Sequence, residues 1–200
     1  ETILSLSNAN GAAETRAWFE RIVRLHDFVG SAGFVVEPKI DGLTVVLHYQ
    51  EGVFVRGATR GNGEVGEDIT NNLRTLHTLP LCVPTDSEGV QTAPQLLVVR
   101  GEAFIPSQAF TTWNERLAAQ GTRTYVNARN AASGALRQLD PKLTASRPIE
   151  LLCYEVIVAT DGFAAVSQWD SLAYLRSMGF PVADISRKFS SLDRAISYCE

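Results

Sequence analysis

Residues 43–50 read LTVVLHYQ and residues 52–59 read GVFVRGAT, with the turn signal QEG between them. Both runs are rich in Val, Phe and Thr, which suit a pleated and half-buried surface. Two such runs joined by a tight turn form a hairpin, so they pair antiparallel. Further strands are expected over GFVVEPKI (33–40), QLLVVRGEAFI (95–105) and IELLCYEVIV (149–158). Helices are expected between them. Trp18, Phe19, Ile22, Val23, Leu25 and Phe28 form an apolar stripe that closes at Gly30 and Gly33. DITNNLRTL (68–76) begins a helix with Asp68 or Thr70 near its cap, and residues 107–121 form an amphipathic helix from Ser107 to Gly121. NARNAASGALRQLDP (127–141) reads as a small-residue helix ended by Pro141, residues 167–180 as a helix closed by Gly179, and residues 191–200 as a helix start. Strands and helices alternate irregularly. The fold class is therefore α+β with antiparallel sheets flanked by helices, not a doubly wound parallel sheet. The connector near residues 80–95 reads as a loop within a domain.

Composition narrows the function. With 45% hydrophobic and 20% charged residues the chain has ordinary globular make-up, and 200 residues make one large domain or a domain with an appendage. A net charge of −4 excludes a global basic field, so any nucleic-acid contact uses a local face or another domain. Cys82, Cys153 and Cys199 are odd in number and widely spaced, and His26, His48 and His77 lack ligand spacing. Neither a disulfide framework nor a metal site is expected from them. No apolar run reaches the ~20 residues that cross a bilayer, and no signal peptide is expected. The expectation is a cytoplasmic protein without a membrane partner, and a chain from Glu1 that reads as a piece of something longer.

Charges inside apolar runs mark the candidate chemistry. In EPKIDG, strand alternation would put Glu37, Lys39 and Asp41 on one face, with Gly42 allowing close backbone approach. A solvated edge is the plain alternative. In a partly desolvated pocket, however, a lysine loses its proton more easily and becomes a nucleophile toward carbonyl carbon or phosphorus. RGNGEVGED adds Arg60, Glu64 and Glu67 on a glycine-rich loop. Its literal G-x-G-x-x-G follows a hairpin instead of opening a βαβ unit, which argues against a dinucleotide-binding turn. VVRGEAFIP places Arg100 and Glu102 on one face, either as a cross-strand ion pair or as a carboxylate for a ribose hydroxyl or metal. Arg129 and Arg137, eight residues apart, fall on roughly one helical face and suit phosphate, with solvated helix charges as the alternative.

Together these segments resemble the adenylation (nucleotidyltransferase) domain of bacterial NAD+-dependent DNA ligases over nearly the whole chain. SLSNAN resembles the entry segment and EPKIDG carries the signature Lys-x-Asp-Gly. ATRGNGEVGEDIT, RGEAFIP, NARNAASGALRQLDP and CYEV follow in the family's order. The four-residue signature alone is shared with RNA ligases and capping enzymes. The ordered set is specific to this family.

The resemblance implies a nucleotidyltransferase (ATP-grasp-like) core over residues 1–200. It implies that Lys39 attacks the adenylyl phosphorus of NAD+, that the lysyl–AMP passes to the 5′-phosphate of nicked duplex DNA, and that magnesium assists. By the same resemblance Asp41 supports the lysine, Glu37 contacts the adenine, and Arg60 and Glu102 hold the ribose region. Tyr154 stacks on the base, Ser5 and Leu6 join the pocket, and Arg129 and Arg137 meet DNA phosphates or structural partners. No metal ligand is assigned in this chain, zinc belongs to another domain of the family, and a monomer is implied. A nucleotide-binding module without chemistry and an RNA-end nucleotidyltransferase remain the alternatives.

Two departures stand out against the resemblance. RGNG replaces the more usual RGDG, so Asn62 removes a carboxylate from the loop tip. The family's later motifs, D-G-x-V and two lysines, would follow Glu200, and the nicotinamide-recognising subdomain would precede the chain. Weak or absent self-adenylation by the 200 residues alone is the expectation.

Overall fold

The computed structural model describes residues 8–83, 93–160 and 163–200. In chain order the elements are α1 (Ala12–Leu25), a 3-10 turn (Asp27–Ser31), β1 (Phe34–Val36), β2 (Leu43–Gln50), β3 (Val53–Thr59) and α2 (Thr70–Leu73). There follow β4 (Leu96–Phe104), α3 (Ser107–Ala119), α4 (Ala128–Leu136), α5 (Pro141–Ala145), β5 (Glu150–Ala159), α6 (Gln168–Ser177), β6 (Arg187–Phe189) and α7 (Leu192–Cys199). They fall into two compact units. Residues 39–183 make one, and residues 8–38 with 184–200 make the other.

The larger unit is a four-stranded sheet in the order β3-β2-β4-β5, antiparallel throughout. The hairpin forms as its sequence requires. Glu51 and Gly52 both take positive φ (48° and 78°), the signature of the two-residue turn whose twist matches the strands. Alternation sorts β2 cleanly. Val45, Leu47 and Tyr49 are wholly buried on one face, while Thr44, Val46 and His48 are half-buried on the other. Leu97 and Val99 lie beside the buried residues on β4, and Leu73, Leu136 and Leu172 are buried in the same unit. Each large apolar side chain removed from water contributes about 1.5–3 kcal/mol. The Tyr49 hydroxyl donates to the carbonyl of Pro80 at 2.7 Å, so its one polar atom is satisfied within the core.

The smaller unit pairs β1 with β6, antiparallel, in the register Phe34↔Phe189, Val35↔Lys188, Val36↔Arg187. Helix α7 packs on both strands. Phe19 of α1 meets Phe34 edge-on at 5.3 Å, and Arg16 bonds Asp193 at 3.0 Å.

Several expectations change in detail. Ser107 does not cap α3. Pro106, with φ −54° and ψ 141°, occupies the cap position without a side-chain bond, and Ser107 is the first helical residue. Pro141 opens a helix instead of ending one. Helix α4 stops at Leu136, Asp140 accepts from the Lys142 amide, and Pro141 stands in the first turn, where its missing amide hydrogen costs nothing. Asp68 accepts from the Thr70 amide at 3.0 Å, but Ile69 holds the cap position and the helix lasts four residues. Strand β6 is an addition to the expected elements, since its three residues are too short for a periodic signal. The connector falls partly outside the described residues; its near end forms a bridge between Cys82 and Val53.

Candidate active site

Strand β1 ends at Val36, and residues 37–41 continue without strand pairing. The physical reason is Pro38, which has no amide hydrogen to donate to a ladder. The expectation of three charges on one strand face is therefore overturned. Lys39 and Asp41 are solvent-exposed on an irregular link, and Lys39 is not in a desolvated strand interior.

Gly42 ends this link and fixes it to the sheet. Its amide donates to Glu102 Oε1 at 3.1 Å. A Cβ at this position would lie 2.2 Å from the Ala103 carbonyl oxygen, so the chain approaches β4 where only glycine fits. Asp41, one residue earlier, is held by Arg129 Nη1 at 3.1 Å. Arg129 is delivered by α4, whose start is capped by the Asn127 side chain accepting from the Asn130 amide at 2.8 Å.

Glu102 is 8% exposed. Burial raises its carboxyl above the usual range. The Thr44 hydroxyl, the Gly42 amide and the positive charges of Arg129 and Lys39 pull it back in part. Arg100, two residues earlier on the same face, pairs with Glu155 across the sheet at 2.6 Å. Arg100 thus makes a cross-strand ion pair, with β5 and not with Glu102.

Tyr154 owes its place to a β-bulge. Arg100 pairs with Glu155 and Gly101 with Cys153, which leaves Tyr154 as the extra residue of β5. A bulge of this kind re-aims a side chain and sharpens the local twist. Burial, followed by the negative charge of Glu102, pushes the Tyr154 phenol up to about 12.

The glycine-rich loop is tightly bonded. Asn62 Oδ1 accepts from the amides of Glu64 and Val65 at 3.0 and 2.8 Å. Cβ atoms on Gly61 and Gly66 would strike the carbonyls of Val65 and Thr59 at 1.7 and 1.8 Å. Asn62 thus serves as an acceptor that tightens the turn, a task an amide oxygen performs as a carboxylate would. Arg60, at the start of the loop, is anchored through its own amide, which donates to the Thr44 carbonyl at 3.1 Å.

Arg137 sits just past α4 and bonds both Glu67 and Ser133. The two arginines take different partners: Arg129 holds Asp41, and Arg137 holds the end of the glycine-rich loop. Glu37 follows β1 in the smaller unit and is half-buried. Ser5 and Leu6 lie outside the described residues. Sequence reasoning missed Thr44, Glu155 and the bulge. A threonine in a strand carries no motif signal, and a bulge is invisible until two strands are paired.

An antiparallel α+β core that sets an exposed lysine beside a buried carboxylate, a tyrosine and several guanidinium groups can hold a nucleotide and offer it a nucleophile. Comparison with known proteins gives the family. The family model described as the NAD-dependent DNA ligase adenylation domain matches residues 1–200. The chain is 46% identical to a DNA ligase of Chloroflexus aurantiacus over 100% of its own length and 29% of the relative's. It is 47% identical to one from Roseiflexus over 98% of its length and 28% of the relative's, and 45% identical to one from Thermobifida fusca over 99% and 26%. This chain belongs to the NAD-dependent DNA ligase adenylation domain family. It spans under a third of the length of the curated relatives it matches.

Proposed function

We propose that residues 1–200 are the adenylate-accepting core of an NAD+-dependent DNA ligase, with Lys39 as the covalent nucleophile. The unprotonated Lys39 amine attacks the adenylyl phosphorus of NAD+. A P–N bond forms, the P–O bond to nicotinamide mononucleotide breaks, and the amine proton leaves to solvent. The 5′-phosphate at a nick in duplex DNA then attacks the same phosphorus, and the lysine departs with a proton. Attack by the 3′-hydroxyl seals the strand and expels AMP.

The observation that carries this reading is the bond from Gly42 to the buried Glu102 carboxylate. It fixes the Lys39 link on β4, and fixed geometry is what phosphoryl transfer most needs. In this reading Tyr154 stacks on the base, and Arg60 and Glu102 hold the ribose region. Asp41, held by Arg129, orients the lysine, and Arg137 steadies the loop that carries Arg60. Among the described residues no group of three His, Cys, Asp or Glu could hold a metal. The magnesium that the resemblance implies would be carried on the nucleotide's phosphates, where it would offset their charge. Among the described residues no helix is long and apolar enough to cross a membrane. A monomer acting in the bacterial cytoplasm, in DNA replication and repair, completes the proposal.

The test uses the whole ligase that carries this domain. Incubation with NAD+ should add one AMP to Lys39, detected by mass, and Lys39→Ala should abolish the adduct while retaining some adenosine binding. Ligation by the Lys39→Ala protein would refute the assignment. A preference for ATP or GTP over NAD+ would redirect the reading to an RNA-end or ATP-dependent enzyme.

A further inference from the structure

We propose that Gln168 is a positioning residue for the base: its side-chain amide holds the bulged main chain at Tyr154 and so sets where the phenol ring stands. The inference rests on the adenylation reading above, in which Tyr154 stacks on the base, and adds to it a residue outside the signature motifs. Strand β5 is the outer strand of its sheet, so β4 pairs it on one side only. At the bulge two residues, Tyr154 and Glu155, stand against Arg100. Cys153, paired with Gly101, is buried in the core, so alternation turns Tyr154 to the Glu102 face. The extra residue keeps Glu155 on that face as well, where it meets Arg100 at 2.6 Å. A bulged residue drops out of the ladder, and its main-chain groups need partners elsewhere. Those partners come from outside the sheet. The Cys153 amide donates to the Pro181 carbonyl at 2.7 Å, and the Tyr154 carbonyl accepts from Gln168 Nε2 at 2.7 Å.

Gln168 works from a fixed base. It is the first residue of α6, whose start is capped by Ser167 accepting from the Asp170 amide at 3.2 Å, and whose Leu172 and Leu175 are wholly buried. On the other side of β5 the strands are already in close contact, since a Cβ on Gly101 would lie 2.7 Å from the Leu152 oxygen. The bulge therefore cannot relax toward β4, and the Arg100–Glu155 pair ties it there. It can relax only outward, and Gln168 holds the outward side. Without the amide donor the part-buried Tyr154 carbonyl turns toward water for a partner and carries the ring with it.

The test compares Gln168→Met, which keeps the length without the donor, with Gln168→Lys, which restores a donor at similar reach, in the whole ligase. The readouts are KM for NAD+ and the limiting rate of single-turnover lysyl–AMP formation. Gln168→Met should raise KM about fivefold to tenfold, as expected for one lost hydrogen bond, and leave the limiting rate within about twofold, since the base is gripped equally before and during the chemistry. Gln168→Lys should return KM to within about twofold of the parent protein. In a Tyr154→Ala background the effect of Gln168→Met on KM should largely vanish, because the ring it positions is gone. An unchanged KM in Gln168→Met, or the same rise with and without the tyrosine ring, would overturn the proposal. If Gln168→Met does not fold, Glu155→Gln loosens the bulge from the β4 side, and an unchanged KM there would overturn it as well. A parental KM in Tyr154→Ala would remove the tyrosine from the base and take the proposal with it. Failure of the parent protein to form lysyl–AMP would instead sink the adenylation reading.

Discussion

Replacing Gly42 with alanine tests the contact on which the site is built. The new Cβ would stand 2.2 Å from the Ala103 oxygen, 2.9 Å from its carbonyl carbon and 2.9 Å from Phe104 Cβ. Ordinary contact begins near 3.4 Å, so the link and β4 would have to separate by about 1.2 Å. Two of the obstructing atoms are backbone in the middle of the sheet, where β4 is bonded to β2 on one side and β5 on the other, so the link moves instead. Overpacking of this kind costs about 1–3 kcal/mol. Stretching the Gly42 bond to the buried Glu102 carboxylate costs a further ~1.5–3 kcal/mol. Together they should lower the melting midpoint of a domain this size by about 10 °C. The chemical effect should be larger in proportion, because an ångström of misplacement at a reacting group costs about a hundredfold in rate. Single-turnover formation of lysyl–AMP in the whole ligase should therefore slow about a hundredfold at a temperature where the variant remains folded. A Gly42→Ala protein that melts and adenylates like its parent would refute the claim that this approach sets the site.

Glu102→Gln should change the dependence of stability on pH. Burial holds the folded carboxyl above its ordinary value of 4.5, so between those two values the folded state binds more protons than the unfolded one. Wild-type stability from this group is then fully present below the ordinary value and declines as pH rises to the folded value. Denaturant titrations from about pH 4 to 8 should show the Gln protein gaining relative to its parent over that interval; a constant difference would contradict the burial argument. Asn62→Ala should lose the two turn bonds to Glu64 and Val65 and destabilise by about 1 kcal/mol, whereas Asn62→Asp should lie within about 0.5 kcal/mol of the parent in the same titration. Equal losses from both substitutions would mean that the side-chain acceptor is not what holds the loop.

The amino-acid order alone determined the α+β class, the β2–β3 hairpin, the helix stops at Gly121 and Gly179, and the family. These rest on local chemistry: turn residues, alternation over two strands and a set of segments in fixed order. It also singled out Gly42 as a place of close approach. It misjudged the Lys39 link as strand interior, because a run of apolar residues outweighed the one proline that cannot join a ladder. It misjudged Pro141 as a stop, because proline both ends helices and opens them, and only the Asp140 cap distinguishes the two. What tertiary structure decided is which charges meet. Arg100 found Glu155, Arg129 found Asp41 and Arg137 found Glu67, from partners 55, 88 and 70 positions away. The aim of Tyr154 depends on strand register and on a single bulged residue. Register is a property of paired strands, so it does not exist in the sequence until the sheet has formed.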